Sequence, residues 1–221
     1  MLLATKCGID TAETFLPQHT ERIIISKRFD RFWPDDPKTI EGTKTPLRLH
    51  QEDFCQALGW PSYLKYELPD TASYAIIAGN LINKVSSDII ADKRVFARLT
   101  IFNYLIGNCD NHFKNHSFLY SPSWNAKRLA PAYDIVCTTI LGFDRKMGFE
   151  IGSHQNINEI TTDDWKGFAS DIGMPEEWVL NEKEGMINAI RENVPLLKGT
   201  LPPAMANVLQ EIVEDAEPRL R

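Results

Sequence analysis

The sequence has few cysteines, no long apolar run and no excess of positive charge, and each shortage removes a class of function. Its four cysteines, Cys7, Cys55, Cys109 and Cys137, are widely spaced and form no C-x-x-C pair. They read as buried, reduced thiols rather than as a disulfide or zinc framework. No apolar stretch approaches the length of a membrane span, and the opening Met1 to Lys6 is too short for a secretory leader. A cytoplasmic protein with no membrane partner is the expectation. A net charge of −6 argues against a surface built to grip nucleic-acid phosphates, so no direct nucleic-acid binding is expected. No internal repeat or low-complexity tract is visible. What is present is ordinary for a globular chain: 221 residues, 43% of them hydrophobic and 24% charged. That is enough for one large domain, or two lobes, with a sizeable core.

The pattern of apolar residues gives a coarse architecture. Residues 1–8 read as the tail of a helix stopped by Gly8, with something expected before it. Arg22 to Phe29 is β-branched and bounded by polar residues, which predicts a strand. His50 to Gly59 has acids early and glycine late, as a short helix does, with Glu52 and Asp53 favouring its N-terminus. An apolar segment, Tyr74 to Val85, precedes a helix over about 91–106 with Val95, Leu99, Phe102 and Ile106 on one face. Ser117 to Tyr120 and Lys127 to Ala130 flank a turn and predict a hairpin, whereas 151–159 reads as a polar loop. Three further helices are expected near 162–172, 176–192 and 202–217, the last with Met205, Leu209, Ile212 and Ala216 on one face. The fold class is therefore mainly α with a few short strands (α+β).

The stretch that carries chemistry is Gly107-Asn108-Cys109-Asp110-Asn111-His112-Phe113-Lys114-Asn115-His116, directly after the second of these helices. Asp110 and Asn115 have four residues between them, and a later acid, Asp134, follows the hairpin in Pro131-Ala132-Tyr133-Asp134-Ile135. An acid, an amide and a second acid suit phosphoryl transfer, which demands positioning and charge neutralisation more than covalent help. Asp110 can take the proton of an attacking Ser or Thr hydroxyl. Asn115 and Asp134 offer oxygen ligands of the kind Mg²⁺ accepts. Lys114 can neutralise phosphate charge, and His112 can reach a phosphate through its ring. Asn111 and His116 are expected to hold the loop by side chain–backbone hydrogen bonds. A metal-dependent nuclease built on Asn111 to His116 is a remote alternative, disfavoured by the acidic net charge and the lack of an Arg/Lys-rich patch.

The run Asn103 to Phe118 resembles the catalytic segment of the HipA-like serine/threonine kinases, a D-[GN]-H-x-K-N loop followed by a strand and L-x-P-x-Y-D. The latter stands here as Leu129-Ala130-Pro131-Ala132-Tyr133-Asp134. Two upstream blocks also match, Arg28-Phe29-Asp30-Arg31 and Leu49 to Gly59, with Lys65-Tyr66-Glu67 close behind, so the resemblance covers 22–135. It implies a kinase-like C-terminal lobe of the HipA type. Residues 1–30 would end an N-terminal lobe, and 31–221 would form the helical C-terminal lobe, with the catalytic loop at 107–117 and the metal-binding segment at 129–135. ATP and Mg²⁺ are the implied cofactors, with Asp110 the catalytic base and Asn115 and Asp134 on the metal. Lys27, Arg28, Phe29, His112, Phe113, Lys114, Asn115, Tyr133 and Asp134 would line the nucleotide.

The resemblance further implies a protein Ser or Thr as acceptor and a bacterial toxin–antitoxin setting. The family carries a phosphate-binding loop and a strand lysine before the part matched here, yet no Gly-rich loop stands ahead of Arg22. An antitoxin, or a complementary protein supplying the N-terminal lobe, is accordingly the expected partner. A catalytically inactive, pseudokinase-like binding module is the alternative.

Overall fold

A computed structural model describes residues 1–17 and 23–221. In chain order its helices are α1 (Leu2–Lys6), α2 (Phe54–Leu58), α3 (Tyr74–Val85), α4 (Ile89–Ile106), α5 (Thr162–Asp171), α6 (Glu176–Lys198) and α7 (Pro203–Ala216). The strands are short: β1 (Thr14–Phe15), β2 (Ile25–Ser26), β3 (Arg31–Phe32), β4 (Thr39–Ile40), β5 (Thr43–Lys44), β6 (Leu47–Arg48), β7 (Gln51–Asp53), β8 (Ser117–Tyr120), β9 (Lys127–Leu129), β10 (Lys146–Ile151) and β11 (His154–Asn156). The expected class, mainly helical with short strands, is what is found.

The axis of the molecule is α4, packed against α3, α6 and α7. Asp88 caps its start by accepting from the Ala91 N–H. From Leu99 to Ile106 every residue is buried, Thr100 and Asn103 included, so this half is enclosed all round rather than along one stripe. Val95, expected on the buried face, is instead 37% exposed, because the first turns of α4 turn Asp92, Lys93 and Phe96 inward and leave Arg94 and Val95 on the outer side. Within α4, Asp92 is completely buried and accepts from Ser86 Oγ, Arg128 Nε and the Leu129 N–H at 2.6, 3.0 and 3.1 Å. Those bonds tie the β8–β9 hairpin to the helix. The hairpin itself is as expected, and β7 adds to β8 as a third antiparallel strand.

Three local readings are corrected. Glu52 lies on β7 rather than in a helix; Asp53 is the N-cap of α2, in a capping box with Gln56. The polar stretch 151–159 holds a hairpin, with Met147, Phe149 and Ile151 of β10 buried and β11 paired to it. The Gln155 side chain donates to the Met147 carbonyl at 2.8 Å, which is how a polar strand is held there. Of the expected strand at 22–29, Arg22 lies outside the described residues and only Ile25–Ser26 pairs, with Phe15 and Thr14. Ile23, Ile24 and Ile25 are exposed, so the β-branched run has strand propensity but little to pair with. Among the described residues no helix is long and apolar enough to cross a membrane.

Candidate active site

The Asp110 loop begins where α4 stops. Gly107 has φ +77, and a Cβ there would stand 2.2 Å from Thr139 Oγ1, so glycine is required twice over. Asn108 Nδ2 donates to Asn103 Oδ1 at 3.0 Å, and Asn108 Oδ1 accepts from the Asp110 N–H at 3.2 Å. The Cys109 N–H donates to Thr138 Oγ1 at 2.9 Å. The Asp110 carbonyl then accepts from the His112 N–H at 2.9 Å and from Asn115 Nδ2 at 2.7 Å. With its nitrogen committed to the loop, Asn115 keeps Oδ1 as its remaining donor atom for a cation. On the other side β10 presses against the loop: a Cβ on Gly148 would lie 2.3 Å from the Asn111 carbonyl oxygen. A glycine inside a strand here marks close backbone approach.

Asp134 is delivered by a different part of the chain. The Ala132 N–H donates to the Asp10 carbonyl and the Ala12 N–H to the Ala132 carbonyl, each at 2.8 Å. The N-terminal strap thus holds the segment that leads into the second acid. Tyr133 Oη donates to the Lys114 carbonyl at 2.8 Å and shares a hydrogen with Ser117 Oγ at 2.5 Å. Burial pushes its phenol up to about 12, as befits a neutral brace. Asp134 itself is exposed with φ +56, an uncommon conformation that Asp tolerates better than most residues. The Phe29 ring stacks on Tyr133 with centroids 6.0 Å apart.

Tyr66 covers the first of the two acids. Its hydroxyl donates to Asp110 Oδ1, and its ring meets His112 edge-on at 5.0 Å. Burial raises the Tyr66 phenol first, then the hydrogen bond to Asp110, with the charges of Asp110 and Asp134 adding to it. Asp110 is thus the carboxylate that the hydroxyl contacts. Tyr66 is fixed from behind: the Glu67 N–H donates to the Gly148 carbonyl at 3.0 Å, and Glu67 Oε2 accepts from the Glu150 N–H at 2.9 Å. His112 is buried, with Nε2 3.8 Å from Asp110 Oδ1; burial lowers its basicity and keeps the ring neutral.

Other expected site residues are placed differently. Phe113 is fully buried among Phe54, Trp60 and Tyr74, so its ring belongs to the core. Lys27 pairs with Glu13 at 3.1 Å, and Arg28 grips Asp30 through two bonds of 2.7 and 2.6 Å. Of those three neighbours only Phe29 reaches the cluster, through Tyr133. Lys114 is half-buried beside Asn115. Asn111 Nδ2 and His116 Nε2 have no hydrogen-bond partner among the described residues, so the expected side-chain braces come from Asn108 and Thr138 instead. Sequence reasoning gave no role to Tyr66, Thr138 or Gly148. Tyr66 stood in the matched Lys65-Tyr66-Glu67 block, and Gly148 interrupts an apolar alternation; both were available signals.

The profile of the HipA-like C-terminal domain matches residues 1–194. The chain belongs to this family. A putative kinase of Sinorhizobium fredii, Y4mE, is 30% identical over 196 residues, covering 88% of this chain and 44% of that protein. The serine/threonine-protein kinase toxin HipA of Shewanella oneidensis is 27% identical over 214 residues, covering 92% of this chain and 48% of that toxin. A solved complex of Shewanella oneidensis HipA with HipB and operator DNA matches with a TM-score of 0.82 at 26% identity, over 99% of this chain and 54% of the HipA chain. The chain thus spans about half the length of the relatives it matches. Its fold is that of the HipA C-terminal, kinase-like part.

Proposed function

We propose that this chain carries the catalytic half of an ATP-dependent kinase that phosphorylates Ser or Thr on a protein. The observation behind this reading is that Asn115 is bound to the Asp110 carbonyl while Tyr133, next to Asp134, is bound to the Lys114 carbonyl of the same loop. In the reaction the acceptor oxygen bonds to the γ-phosphorus, the bond from that phosphorus to the bridging oxygen breaks, ADP leaves, and the hydroxyl proton passes to Asp110. Among the described residues no three His, Cys, Asp or Glu side chains group as a metal site. Asn115 Oδ1 and the exposed Asp134 carboxylate nevertheless fit Mg²⁺, which binds through one or two carboxylates plus phosphates and keeps several waters. When bound, that ion offsets phosphate charge. Phe29, stacked on Tyr133, offers a flat surface to the adenine, and Lys114 a positive charge to the phosphates.

No Gly-rich loop precedes Arg22, so on this reading the phosphate clamp comes from an N-terminal lobe outside these residues. An antitoxin is the second expected partner, supported by the HipB complex of the Shewanella relative. The alternative is a binding module without catalysis. Transfer of labelled γ-phosphate to protein Ser or Thr, with an N-terminal lobe supplied, separates the two. The kinase reading expects a loss of about 10²–10⁴-fold in Asp110→Asn. Equal transfer by wild type and variant contradicts it.

A further inference from the structure

Beside Asp110 lies a cavity of ≈ 560 Å³ that neither the nucleotide nor the metal reading uses. Asp110 lines it, whereas Asn115, Tyr133 and Asp134 do not. Its apolar walls come from Tyr66, Pro69, Cys109, Phe143 and Met147. Phe143 is 65% exposed at the rim, and Leu68 and Leu141, neighbours in sequence of lining residues, are exposed as well. Two charged groups of the lining are already answered: Glu67 accepts from the Glu150 N–H, and burial raises its pKa, while Asp110 accepts from Tyr66. Asp144 and Lys146 are exposed lining residues of opposite sign, so the lining favours neither charge. At the mouth, an alcohol-type O–H already donates to the acid proposed as base.

We propose that this cavity is the acceptor subsite: it takes an aliphatic side chain next to the Ser or Thr to be phosphorylated, while the Tyr66 hydroxyl keeps the acceptor's place on Asp110 until that hydroxyl displaces it. The inference rests on Asp110 being the base. A Ser or Thr hydroxyl makes the same O–H to carboxylate contact that Tyr66 makes, so the two exclude each other on Oδ1. A peptide placed so that its hydroxyl reaches Asp110 brings a neighbouring side chain to the exposed Pro69 and Phe143, with the buried Met147 behind them, where a Leu or Ile side chain removes apolar surface from water. A Glu or Lys side chain against those apolar walls has to shed part of its hydration, and the exposed Asp144 and Lys146, of opposite sign, give neither charge a net field to offset that cost. Tyr66 is a positioning residue in this scheme, and its ring remains as a wall of the subsite after its hydroxyl has moved.

The test needs no nucleotide. The full chain, labelled with ¹³C at its methionine methyls, is titrated with blocked heptapeptides that have a central Ser flanked by Leu, Glu or Lys, and with the Leu peptide whose Ser is replaced by Ala. The Met147 methyl signal is expected to shift with the Leu-flanked Ser peptide, with an apparent Kd about tenfold or more below those of the Glu and Lys peptides. Phe143→Ala, at an exposed position that should not disturb folding, is expected to weaken the Leu peptide by several fold. In Tyr66→Phe the Ser peptide should bind about tenfold tighter while the Ala peptide is unchanged, since only the Ser hydroxyl competes for Asp110. A purely structural role for Tyr66 would move both peptides alike, and that outcome overturns the gate. A Met147 signal that responds equally to all flanks, or to none, overturns the subsite. Phosphotransfer measured separately shows whether the kinase reading stands when the subsite fails.

Discussion

Asp215 on α7 accepts from Thr139 Oγ1, Arg145 Nη2 and Arg219 Nη2 at 2.6, 2.6 and 2.7 Å, while Arg219 Nε donates to the Leu105 carbonyl near the end of α4. This cluster fastens the C-terminal helix to the segment behind the Asp110 loop. Removing Asp215 leaves the buried Arg219 guanidinium without its counter-charge, so Asp215→Ala should cost about 3–5 kcal/mol in urea unfolding. The guanidinium partners also govern pH dependence. Against the cost of their own burial, hydrogen bonds to Thr139, Arg219 and Arg145 hold Asp215 at about 2, and the bond from Arg28 leads in holding Asp30 at about 2. A carboxylate with a depressed native pKa stabilises the fold above its unfolded value, and that contribution is lost as pH falls from about 4 towards 2. His116 works over a higher range: burial lowers it from 6.5 to about 3, so the unfolded chain takes up the proton first and stability falls as pH drops below about 6.5. Urea titrations at stepped pH should therefore show a two-stage acid loss, with the upper stage flattened in His116→Leu and the lower one in Asp215→Asn.

At the scale of elements, α4 and β10 set the loop between them. Leu99 is 6% exposed in the core of α4, and Leu99→Ala should destabilise by about 2–5 kcal/mol in chemical denaturation. Gly148→Ala drives a methyl into the Asn111 carbonyl, so a loss of about 1–3 kcal/mol is expected in the same assay. An unchanged midpoint would mean that β10 does not press on the loop. Helix α4 was legible because eighteen residues with a strong apolar bias, capped by Asp88 and stopped by Gly107, leave little choice. The Asp110 loop and Asp134 were legible as residue types in order. The β10–β11 hairpin was not, since His154, Gln155 and Asn156 look like a loop until Gln155 is seen bonded to the Met147 carbonyl. Tyr66 stood in a matched block, but its place over Asp110 was equally hidden. Nothing in Lys65-Tyr66-Glu67 says that a strand distant in sequence will hold it over Asp110.

At the scale of the whole molecule, an apolar edge stands beside the proposed nucleotide site. Phe15, Ile23, Ile24 and Ile25 are exposed around the β1–β2 pair, next in sequence to Phe29, and the chain spans about half the length of its relatives. On the proposed reading, these residues would offer ATP Asn115 and Asp134 for its metal, Lys114 and an aromatic surface, and the phosphate loop would come from elsewhere. Charge-assisted contacts of the kind such a loop provides contribute about 1.5–3 kcal/mol each, or roughly tenfold in affinity or more. Calorimetry of Mg-ATP binding to the chain, with and without an N-terminal lobe and in wild type and Asp134→Asn, tests this most directly. The account predicts weak binding by the chain alone, at least tenfold tightening when the lobe is added, and loss of that gain in the variant. Tight binding by the isolated chain, or binding indifferent to Asp134→Asn, would contradict it.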